Sequence, residues 1–110
     1  LILNPDFEYR FVSDEESIEC LGTKIKVFHV PGHTTGSLCY YFEEDEMVFT
    51  GDTLFKQSIG RTDFIYGNHE QLVIGIRRKL LTLPGQTLVY PGHGECTTIE
   101  EESKHNPFLA

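Results

Sequence analysis

The sequence predicts an α+β fold, and three observations carry that prediction. Short segments alternating apolar with polar residues fill the first half of the chain, as strands do. A single helical pattern, Leu72, Ile76, Leu80 and Leu83, follows a long stretch without periodicity. Three apolar runs end in glycine followed by a residue able to bind a metal: His29-Val30-Pro31-Gly32-His33, Phe49-Thr50-Gly51-Asp52 and Val89-Tyr90-Pro91-Gly92-His93.

Each element can be justified in turn. Asn4-Pro5-Asp6 is a turn signal, and Phe7 to Val12 alternates in the manner of an edge strand. After the turn at Asp14-Glu15-Glu16, Ser17 to Leu21 and Lys24 to Val30 read as strands joined at Gly22-Thr23. Ser37 to Glu43 and Glu46 to Thr50 form a hairpin around Glu44-Asp45. From Thr53 to Gly67 the pattern lapses into a long loop, a kind of segment that in compact domains often carries function.

Asn68 then caps a helix with Gln71 as its capping-box partner, and Pro84-Gly85 stops it. Arg77, Arg78 and Lys79 lie near its C-terminal end, where cations suit the dipole. Gln86 to Tyr90 is a strand. Thr98 with Glu101 opens a last short helix that ends before Pro107. The predicted order is five strands, a long loop, helix, strand, helix, within one partial domain over residues 1–110.

Composition narrows the function classes. A chain of 110 residues that is 39% hydrophobic and 24% charged has the make-up of a small globular domain rather than a disordered segment. A formal charge of −8 argues against nucleic acid, whose phosphates require clustered Lys and Arg. No apolar run approaches the length of a membrane span or resembles a signal peptide. The acidic blocks at Asp14 to Glu16, Glu43 to Glu46 and Glu100 to Glu102 read as solvated turns and a helix start. Cys20, Cys39 and Cys96 are odd in number and scattered, which fits a reducing cytoplasm, with Cys20 and Cys39 as small core residues. Cys96 stands three residues after His93, but without a second such pair it is not read as a ligand.

The chemistry converges on His33, Asp52 and His93. A strand-end aspartate is costly to bury without a cation, and metal coordination is a common solution. The other reading of Asp52 is a cap on the following turn, assisted by Thr53. Two Pro-Gly-His turns with a Gly-Asp between them favour a divalent-metal site over isolated loop histidines. His29 reads as a core residue, and His69 and His105 as surface residues. Arg61, within Ile59-Gly60-Arg61-Thr62-Asp63-Phe64, either reaches a substrate carboxylate or pairs with Asp63.

The strings VPGHTTGSLCYY, MVFTGDTLF, SIGRTDF, LVYPGHG and EEESKHNPF together resemble the metallo-β-lactamase superfamily, and within it the glyoxalase II (hydroxyacylglutathione hydrolase)-like branch. The resemblance covers most of Gly22 to Phe108. It implies an αββα sandwich of two similar halves with metals between them at one edge, of which this chain would be the C-terminal half, a mixed sheet with helices on one face. It further implies that His33 binds a first metal, Asp52 bridges both and His93 binds the second. The metals would be zinc, with iron or manganese as alternatives. The implied reaction is hydrolysis of a small-molecule thioester or related ester by a bridging hydroxide.

The departures from the family pattern are equally informative. The family draws its other ligands from a His-x-His-x-Asp-His motif, and no such string occurs in this sequence. Each metal would then keep one histidine and shared Asp52, fewer protein ligands than zinc normally takes. The expectation is therefore an inactive isolated chain, part of a longer protein. It should pair with a missing N-terminal half or associate with itself. The glutathione-binding helical extension of full glyoxalase II enzymes is also expected to be absent. Asp63 stands where an aromatic substrate contact is usual, with Arg61 in the place of a basic one. Gly-Arg-Thr-Asp-Phe is similar to persulfide dioxygenases that use one iron, while Pro-Gly-His-Gly favours the hydrolases. A non-catalytic half-domain acting by association is the third reading.

Overall fold

The computed structural model describes residues 17–20, 23–34, 36–63 and 67–109. The strand expected at Phe7 to Val12 lies outside the described residues. Along the chain run β1 (Ser17–Cys20), β2 (Thr23–His29), β3 (Leu38–Phe42), β4 (Met47–Gly51), β5 (Leu54–Phe55), β6 (Ser58–Ile59), α1 (His69–Gly75), β7 (Leu88–Pro91), β8 (Thr97–Thr98) and α2 (Ile99–His105). The architecture is the expected α+β arrangement, a mixed sheet with two α-helices. Among the described residues no helix is long and apolar enough to cross a membrane.

Strand direction explains why the three glycine-ligand runs converge. The six-stranded sheet has the order β1-β2-β3-β4-β7-β8. β3 is antiparallel to both β2 and β4, so β2 and β4 run the same way. β7 pairs parallel to β4, with Val48 opposite Val89 and Gly51 opposite Pro91. The C-terminal ends of β2, β4 and β7 therefore open onto one edge of the sheet, where chemistry in α/β sheets gathers.

Alternation along the strands fills a single core. Phe28 and Val30 from the β2 run, Cys39 and Tyr41 from β3, Val48 from β4 and Val89 from β7 are all buried. They meet Leu72, Ile76, Leu80 and Ile99 of the helical segments in one hydrophobic cluster. The opposite sheet face carries Tyr40, Phe49 and Tyr90 in register across β3, β4 and β7. Phe49 stacks on Tyr90 at 5.3 Å between centroids and meets Phe42 edge-on at 5.4 Å. Phe49 and Leu88 on that face remain exposed.

Several expectations are corrected in detail. The segment expected as an unpatterned loop from Thr53 holds the β5–β6 hairpin, its two-residue turn formed by Lys56 and Gln57. Gln57 takes a left-handed φ of 58° there. The long helix starts as read, with Asn68 Oδ1 accepting from the Gln71 amide at 2.8 Å, but after Gly75 it widens into a π-helical turn, Ile76–Leu80. Lys79 in that turn reaches back to the His29 carbonyl at 2.6 Å. The last acidic block is not all solvated: Glu102 is fully buried.

Candidate metal centre

Asp52 leaves β4 directly after Gly51, whose φ of 52° is left-handed and swings the carboxylate out of the pleat. Gly92 acts through close approach instead. A Cβ there would lie 3.2 Å from Asp52 Oδ1, and its amide donates to the Gly51 carbonyl at 2.8 Å. The ends of β4 and β7 are thereby laced together, and His93 follows at once.

The two histidines take different oxygens of that carboxylate. His33 Nε2 lies 3.9 Å from Asp52 Oδ2, and His93 Nε2 lies 3.6 Å from Asp52 Oδ1. The Asp52 side chain is 54% exposed, so it is not the buried carboxylate the sequence suggested; it faces a cavity. Among the described residues no three His, Cys, Asp or Glu side chains close into one metal-holding group. The arrangement is two pairs that share Asp52.

Each ring is oriented by a neighbour that sequence reasoning did not identify. His33 Nδ1 lies 2.8 Å from the backbone carbonyl of Arg61. A carbonyl only accepts, so Nδ1 carries the proton; in the neutral tautomer with that proton, Nε2 has its lone pair towards Asp52. A lone pair facing a carboxylate oxygen is an arrangement that a cation satisfies. His93 is stacked on Phe55 of β5, with centroids 4.7 Å apart and planes 27° apart. No sequence signal marks a carbonyl, while Phe55 stood in view within Gly51-Asp52-Thr53-Leu54-Phe55.

The family model of the metallo-β-lactamase superfamily matches this chain over residues 2–93. The chain belongs to the metallo-β-lactamase superfamily. A probable metallo-hydrolase of Streptococcus pyogenes is 49% identical over 88 residues, which is 80% of this chain and 38% of that protein. The hydroxyacylglutathione hydrolase GloC of Haemophilus influenzae is 42% identical over 99 residues, 90% of this chain and 47% of that protein. Among solved structures, the B3 metallo-β-lactamase BLEG-1 superposes with a TM-score of 0.85 at 47% identity, covering 89% of this chain and 47% of that one. A protein solved in a di-iron-bound form gives 0.81 at 38% identity, covering 96% and 50%. The chain thus spans about half the length of these relatives, part of the superfamily fold.

Within this superfamily member, the paired site borders a cavity of about 680 Å³ lined by His33, Asp52, Phe55, Lys56, Arg61 and His93. Lys56 and Glu95 form an ion pair at 2.8 Å, and the hydrogen bond from Lys56 holds the Glu95 carboxyl below the usual range. The Arg61 guanidinium makes a two-pronged contact with Asp63, 3.1 Å on each side, and lowers the Asp63 pKa. Of the two roles read for the Arg61 side chain, the structure shows the pairing with Asp63. Both partners are largely exposed, so the pair is weak and exchangeable. His69 and His105 are exposed as expected, and His29 is half-buried. Cys39 is buried and Cys96 exposed.

Proposed function

We propose that this chain supplies part of the active site of a two-metal hydrolase acting on thioesters or related esters, in the manner of a hydroxyacylglutathione hydrolase. The observation that carries the reading is the carboxylate of Asp52 with one imidazole on each oxygen. In this reading His33 and Asp52 would hold one metal, and His93 and Asp52 the other. Nitrogen and carboxylate donors suit zinc, with iron or manganese as alternatives. Bound metals of this kind supply a water activated at neutral pH and polarise the carbonyl to be attacked.

The chain's own residues do the positioning. The Arg61 carbonyl holds His33 in the tautomer that points Nε2 at the site, and Phe55 fixes the plane of the His93 ring. The Arg61 guanidinium, on the cavity wall, exchanges Asp63 for a substrate carboxylate. With one histidine and a shared carboxylate per metal, the isolated chain is read as inactive until further ligands are supplied. The unbridged thiols Cys39 and Cys96 suit a cytoplasmic setting.

A single-iron oxygenase whose triad is His33, Asp52 and His93 is disfavoured, because the two histidines stand against different oxygens of Asp52. Association through the sheet face bearing Phe49 and Leu88 is a second reading, favoured by the exposure of those side chains. The partner there is the missing N-terminal half or a second copy. The test is metal content and turnover of a hydroxyacylglutathione thioester by the intact protein. Two metals per molecule, with turnover lost in Asp52→Ala, support the reading. One iron with oxygen uptake overturns it.

A further inference from the structure

The β5–β6 hairpin and the residues flanking it link all three members of the paired site. It leaves Asp52 through Thr53, whose carbonyl accepts from the Gly60 amide at 2.9 Å to close its base. Its return strand runs into Arg61, whose carbonyl orients His33, and its Phe55 stacks on His93. Two-residue strands have little stability of their own. Their placement must be fixed from elsewhere.

That anchor is a buried polar cluster on α2. Glu102 has no exposed surface, yet three donors satisfy its carboxylate. Oε2 accepts from Thr97 Oγ1 at 2.6 Å, and Oε1 accepts from the Gln57 amide at 2.7 Å and from Asn106 Nδ2 at 2.9 Å. Asn106, also fully buried, donates through the same nitrogen to the Ser58 carbonyl at 3.1 Å. Its Oδ1 accepts from the Phe108 amide at 2.9 Å. The C-terminal end of α2 thus grips the hairpin at its tip and at the start of its return strand, Gln57 and Ser58. A buried carboxylate is expensive without donors, and Thr97, Gln57 and Asn106 all donate to this one.

We propose that Glu102 and Asn106 are positioning residues of the metal centre: through the β5–β6 hairpin they set where His33, Asp52 and His93 stand relative to one another. The role presumes that these three form the functional site, but not which metal they hold. Hydrogen bonds around metal-binding groups commonly control the site in this way.

The test reads geometry rather than metal, so its failure is separate from failure of the hydrolase reading. Amide hydrogen exchange and the Phe55–His93 nuclear Overhauser contact are measured on the chain. In Glu102→Ala, exchange at Gln57 and Gly60 should accelerate at least about tenfold relative to Val48 and Val89, with the ring contact weakened. Glu102→Gln should restore both, because its oxygen keeps the Gln57 and Asn106 bonds while its nitrogen donates to Thr97 Oγ1. Unchanged hairpin protection, or equal acceleration across the sheet, overturns the proposal. If Glu102→Ala does not fold, Asn106→Ala decides: selective loosening at Gly60 supports the role, and wild-type protection there overturns it.

Discussion

The Nδ1 atom of His33 lies 2.8 Å from the backbone carbonyl of Arg61, while the Arg61 side chain turns to Asp63. One residue therefore serves the site through its backbone and the cavity wall through its side chain. The two functions are separable. Arg61→Ala removes the ion pair and keeps the carbonyl, so nitrogen-15 shifts of the His33 ring should still report an Nδ1–H tautomer. Stability should change little, as for exposed pairs. A switch of tautomer in this variant contradicts the assignment.

The turn carrying His33 depends on contact with α1. Gly32 has a φ of 135°, and a Cβ there would collide with the Leu72 Cβ. Gly32→Ala should cost more than about 1 kcal/mol in denaturant unfolding, through both backbone strain and overpacking. Gly36, with no neighbour near its would-be Cβ, is the control: Gly36→Ala should change stability far less.

Burial pushes the Cys39 thiol up from 9.0 to about 12. Cys96 is exposed, so alkylation followed by peptide mapping at mildly alkaline pH should mark Cys96 and spare Cys39 until the chain unfolds. The linkage has a definite sign. Above pH 9 the unfolded thiol loses its proton while the folded one keeps it, so the unfolded state binds fewer protons. Stability from this group is intact below the unfolded value and falls as pH rises towards 12, by up to about 1.4 kcal/mol per pH unit. Cys39→Ala should flatten that alkaline slope. An unchanged slope assigns it to other groups.

The aromatic ladder of Phe42, Phe49 and Tyr90 should drive association of the isolated chain. Sedimentation velocity should show mass increasing with concentration, and Phe49→Lys should move the distribution towards monomer. A wild-type chain that stays monomeric across the concentration series contradicts association through this face.

The strand ends were legible in the sequence because period-two alternation and a glycine before each ligand leave a strong local signature. The runs from Val30 to His33, Thr50 to Asp52 and Tyr90 to His93 all carry that signature. The convergence of all three on one edge needed the parallel pairing of β4 with β7, a long-range fact that no local pattern encodes. The β5–β6 hairpin escaped detection for a related reason. Two residues per strand show no periodicity, and its fixing bonds come from Glu102 and Asn106, more than forty positions downstream. Glu102 itself was misread as solvated because its acidic neighbours Glu100 and Glu101 disguise it; only Glu102 turns fully inward.

If Asp52 is shared between two metal positions, each only part-built by this chain, neither should hold zinc tightly alone. Zinc titration of the purified chain, with elemental analysis after dialysis, tests it most directly. Well under one tightly held zinc per chain is expected, because each position has one imidazole and a shared carboxylate. One stoichiometric, tightly bound zinc that is lost in Asp52→Ala would contradict it.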